Sequence, residues 1–149
     1  MRRLNRSEYN RTVGDLVGTT TTPAENFPAD DVSYGFDTIG AVLSISPLHL
    51  ELYDAAAEKL VAEVYARPAG DAVRDKVLKC ASSDAETCAK EVLGRFAKRA
   101  FRRPVTDVEL ARITGIASSA RTVGASADEA LGLALRAILI SPHFIFRVE

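Results

Sequence analysis

Histidine and cysteine, the side chains that most often hold metals or move protons near neutral pH, occur only twice each in this 149-residue chain. Two cysteines cannot supply a four-thiolate zinc site, and the sequence contains neither a Cys-x-x-Cys pair nor a Cys-x-x-Cys-His haem attachment. His49 and His143 each lack a neighbouring nucleophile or ligand set, so a surface or satisfied-core role is the simpler reading of both. A charge excess is also missing: 19 basic and 20 acidic side chains leave a net charge of −1, which implies neither disorder nor a polyelectrolyte partner. No apolar run approaches the roughly 20 residues needed to span a bilayer, since Leu131 to Ile140 is interrupted by Arg136. Met1 leads directly into Arg2, Arg3 and Asn5 without the apolar core of a signal peptide, so the chain reads as cytoplasmic or as a fragment of an exported protein.

Helix-start signals are abundant. Asn5 with Glu8 has capping-box spacing, and Leu4 with Tyr9 the spacing of a hydrophobic staple, predicting a helix from about Arg6 to Val17 that Gly18 stops. Ser46-Pro47 opens a second helix with Leu48, Leu52, Ala56, Leu60 and Val64 on one stripe, ending at Arg67-Pro68. Alanines 55 to 57 would let another helix approach its middle. Ser83 with Glu86 introduces a helix with Cys88, Val92, Phe96 and Ala100 inward; Thr106 with Glu109 introduces one burying Ile113, Ile116, Ala117 and Ala120. Ser126 with Glu129 starts a last helix carrying Leu131, Leu135 and Ile138, which Ser141-Pro142 should break. The expectation is an all-α protein of about five helices in two packed units, residues 1–68 and 71–149, forming one compact body with a hinge near Pro68-Ala69-Gly70-Asp71.

Between Gly18 and Ile45 no helical period persists, and the stretch "FPADDVSYGFD" crowds three carboxylates and three aromatics into residues 27–37. Two readings stand. Asp30, Asp31 and Asp37 can accept backbone N–H bonds as Asx turns, with Phe27, Tyr34 and Phe36 anchoring an ordered loop. Alternatively Asp31 and Asp37, with Ser33 between them, hold calcium, or Tyr34 and Phe36 stack on a carbohydrate. An EF-hand register begun at Asp31 places Gly35 at the fifth position and Val42 at the twelfth, where ligands belong, so the turn reading is preferred.

On one continuous helix Cys80 and Cys88 would sit about 12 Å apart, beyond disulfide reach. A helix start at Ser82-Ser83-Asp84 folds the chain between them, which favours a disulfide over the alternative of one buried and one exposed thiol. The run Lys98-Arg99-Ala100-Phe101-Arg102-Arg103 fits the last turn of a helix, where cations complement the dipole, better than a nucleic-acid footprint.

The strings "RRLNRSEYNRTVGDLVG", "FPADDVSYGFDTIGAVLSISPLHLELY", "FAKRAFRRPVTDVELARI" and "ALRAILISPHFIFRVE" together resemble helical domains of unknown function in large exported proteins of planctomycetes, verrucomicrobia and myxobacteria. In that family similar domains precede others, and many members carry cytochrome-c-like modules. The resemblance implies export to the periplasm or cell surface, which supports the disulfide, and an N-terminal piece of a longer polypeptide whose other domains are its partners. It implies no catalytic residue and no cofactor in this chain. The resulting expectation is a non-catalytic structural or interaction module. A calcium- or carbohydrate-binding module, and part of an enzyme completed by missing domains, are the alternatives.

Overall fold

The computed structural model describes residues 1–29 and 45–147. Among them are seven α-helices: α1 (Arg6–Val17), α2 (Pro47–Ala66), α3 (Ala72–Leu78), α4 (Ala85–Phe101), α5 (Asp107–Thr122), α6 (Ala127–Leu139) and α7 (Pro142–Ile145). A 3-10 turn, Pro23–Asn26, follows α1, and two short strands, β1 (Arg2–Arg3) and β2 (Phe146–Arg147), bracket the helices. The described residues are all-α apart from this one ribbon.

Local chemistry sets most helix ends. Asn5, Thr106 and Ser126 each accept the N3 backbone N–H while Glu8, Glu109 and Glu129 reach back to the cap, so three reciprocal boxes open α1, α5 and α6. The fourth, expected at Ser83 and Glu86, is absent. Asp84 caps α4 instead, its carboxylate accepting from both the backbone and the hydroxyl of Thr87. Gly18 ends α1 at φ 69, where a Cβ would lie 2.3 Å from Val73 Cγ1, so the stop and the packing of α3 require the same residue.

Two helices depart from the five expected. The supposed hinge instead holds a cap: Asp71 accepts from Val73 N and Arg74 N and opens α3. Seven residues are too few to display a helical period in the sequence. Ser141-Pro142 does break α6, but proline at a first helical position also permits a start, and Ser141 caps the single turn of α7. Two stripe assignments also change. Leu48 is 52% exposed, and α2 buries His49, Tyr53, Ala56, Ala57, Leu60 and Val64 instead; Ile116 on α5 is 39% exposed.

Helix α6 is the hub. It packs against α5, α2, α4 and α7, burying Ala130, Leu131, Ala134, Leu135, Ile138 and Leu139. A single buried cluster runs from Leu4 to Ile145. Strand β1 pairs antiparallel with β2, Arg2 opposite Arg147, and Leu4 N donates to Ile145 O at 2.8 Å. No helix among the described residues is long and apolar enough to cross a membrane.

Candidate functional site

Phe27 is buried, its ring 5.3 Å from that of Tyr9 and 4.9 Å from that of Tyr53. Phe144 completes the cluster 6.0 Å from Tyr9. Asp30, Asp31, Tyr34, Phe36 and Asp37 lie outside the described residues, and the calcium and stacking readings lie there with them. Cys80 and Cys88 form a disulfide with their Cα atoms 5.4 Å apart, because α4 begins at Ala85 and the chain turns between them. His49 is buried with Nδ1 2.8 Å from Ser46 Oγ. His143 is half exposed, its Nε2 3.4 Å from Glu109 Oε1.

The basic run is bound to neighbouring helix ends. Arg99 donates to Asp15 O at 2.8 Å, Arg102 to Ala100 O and Phe144 O, and Arg103 forms a two-pronged pair with Glu109 at 2.9 and 2.6 Å. Six carboxylates are committed in the same way. Arg103, followed by the Thr106 N–H, holds the Glu109 carboxyl at about 2. Arg2 lowers Glu8, against the opposing cost of burial, and Arg136 lowers Asp54. Backbone N–H groups lower the capping acids Asp71, Asp84 and Glu129. All six are fixed as anions that hold a helix start or an arginine, the opposite of a general acid tuned toward neutral pH.

A groove of about 610 Å³ opens between α2 and α6. Gly132 lies on its floor, where a Cβ would stand at ordinary contact distance, 3.5 Å from Val61 and 3.6 Å from Tyr65. Arg136, one turn on, binds Asp54 with two hydrogen bonds of 2.7 and 2.6 Å and lies 3.6 Å from Glu58, so α6 runs antiparallel to α2. Val61, Ala62, Tyr65 and Leu133 supply the apolar wall, with Leu133 46% exposed. Tyr65 is itself pinned: Arg74 stacks 5.9 Å from its ring centre, its hydroxyl is buried without a partner, and burial pushes the phenol pKa up. The sequence pattern gives little sign of this groove, because Leu133 falls two positions from Leu131 and Leu135, off the buried stripe. A leucine on the outer face was the available signal.

A second groove, of about 670 Å³, lies between α4, α5 and α6. Alanines 89, 111, 117 and 130 line it, and charges of both signs, Glu86, Lys90, Asp107 and Arg121, stand around it.

Residues 2–66 match the family described as PSD3, a protein of unknown function (DUF1587), and residues 88–149 match PSD5, a protein of unknown function (DUF1595). The first match ends at the last residue of α2, and the second begins within the first turn of α4, at the disulfide. Comparison with curated proteins and with solved structures finds no match. The chain is thus similar to PSD3 through α2 and to PSD5 from Cys88 onward, with α3 between the two matches.

Proposed function

We propose that this chain is a non-catalytic helical module of an exported multidomain protein, acting to position other domains or to bind a partner. The observation that carries the reading is the fate of six carboxylates and of the arginines in the basic run. Glu8, Asp54, Glu109 and the capping acids are held as anions on arginines and helix starts, and the basic run closes helix ends. These contacts build a scaffold. The disulfide favours an oxidising compartment, and the resemblance to exported proteins supports the periplasm or cell surface as that compartment. Cytochrome-c-like domains of the same polypeptide are the neighbours that the resemblance implies.

The test combines a turnover screen of the purified chain, on ester, glycoside, peptide and redox-dye substrates, with melting in millimolar calcium. The expected result is no turnover and an unchanged melting temperature. Turnover abolished by one substitution that leaves the fold intact would overturn the reading. So would a calcium-dependent rise in melting temperature lost in Asp31→Ala or Asp37→Ala, which would instead establish a cation-binding loop.

A further inference from the structure

We propose that the groove between α2 and α6 docks an amphipathic helix from a partner domain or protein, one with a leucine-type stripe flanked by lysine or arginine. The proposal rests on the reading of the chain as an interaction module and adds the chemistry of the partner. The floor sets the shape. Gly132 lies against Val61 and Tyr65 there, and Leu133 stands half exposed beside Ala62 and Val61, leaving an apolar furrow with room for side chains that no other described residue fills. Helix α6, at 13 residues, is about 20 Å long, which matches three to four turns of a docked helix.

The rim sets the charge. Glu58, Asp128 and Glu129 line the groove with Arg136 as the only cation of that lining among the described residues, and Arg136 is already paired with Asp54. Glu58 has a side chain 66% exposed, 3.6 Å from an arginine whose stronger bonds go elsewhere. The edge is therefore negative around an apolar centre, the complement of a helix with a cationic flank. The same charge disfavours two other occupants. An anionic lipid surface would be repelled, and two copies of this chain placed face to face would oppose like charges across a two-fold axis.

The experiment is a fluorescence-anisotropy titration of a labelled leucine–lysine helical peptide of about fourteen residues into the purified chain, with a leucine–glutamate peptide as its mirror. The lysine peptide should bind saturably and the glutamate peptide should not. Leu133→Asp, and independently Ala62→Arg on the facing wall, should each weaken binding about tenfold or more. Both positions are exposed, and an unchanged melting temperature confirms that each variant folds. Glu58→Gln combined with Asp128→Asn should weaken binding several-fold and flatten its salt dependence. Absence of binding, equal binding of the two peptides, or indifference to Leu133→Asp would each overturn the proposal. A dimer in sedimentation that Leu133→Asp abolishes would overturn it too, because a second copy would then cover the groove. None of these outcomes bears on turnover or calcium response, so the proposal can fail while the non-catalytic reading stands.

Discussion

Arg102 closes α4 with φ 58, the only positive-φ residue other than glycine among those described. A side chain in that region costs about 1–2 kcal/mol, which is why glycine is usual at such a stop. Here the side chain offsets the strain. Its guanidinium donates to Ala100 O and to Phe144 O, both at 2.8 Å, and so ties the end of α4 to α7. The two contributions can be separated by substitution. Arg102→Ala keeps the strained backbone and loses both bonds, whereas Arg102→Gly loses the bonds and relieves the strain. Urea unfolding should find Arg102→Ala less stable than Arg102→Gly by about 1 kcal/mol, with both below the parent. Equal stabilities would show that the backbone at this position relaxes once the guanidinium is gone.

Glycines in helices show how an element depends on what surrounds it. A Cβ on Gly115 within α5 meets nothing within 4 Å, so Gly115→Ala should raise stability by about 0.5–1 kcal/mol. Gly18→Ala should do the reverse, because φ is 69 and Val73 occupies the space. Thermal or urea melts of the two variants check both signs. The same contrast between local and distant causes explains what the sequence made legible. The boxes at Asn5, Thr106 and Ser126 were readable because cap and partner lie three residues apart. At α4 a one-residue error arose because Asp84 outcompetes Ser83 for the free N–H groups, while Ser82 turns back to Asp84 N. Helix α3 left no period to read, and its cap sits in a Pro-Ala-Gly stretch that resembles a linker. Ser141-Pro142 reads as a stop after α6, whereas the same dipeptide at Ser46-Pro47 reads as a start; both serines cap a following helix. Of the groove, only Leu133 on the outer face of α6 was legible. The rest depends on Gly132 meeting Val61 and Tyr65 across the fold, a pairing no local spacing encodes.

At the scale of the whole molecule, anions join segments distant in sequence. Glu8 receives Arg2 at 2.6 Å, the Asn5 N–H at 3.1 Å and Arg147 at 3.4 Å, so one carboxylate links β1, α1 and β2. Asp54 joins α2 to α6 through Arg136, and Glu109 joins the start of α5 to Arg103 and approaches His143 of α7. All three are held below their unfolded values, 4.5 for Glu8 and Glu109 and 3.8 for Asp54. The sign follows from proton binding. Below those values the unfolded chain takes up protons that the folded carboxylates refuse, so the stability these pairs supply is complete above about pH 5 and is lost as pH falls through the folded values. Glu109 is held at about 2, so its share disappears between about pH 4.5 and 2. Glu109→Gln should therefore lower the urea midpoint at pH 7 and flatten its decline between pH 5 and 2, relative to the parent. A variant whose acid decline matched the parent's would show that Glu109 is anchored no better in the folded protein than in the unfolded chain, and would remove the Arg103 pair from the contacts holding α5 to α4.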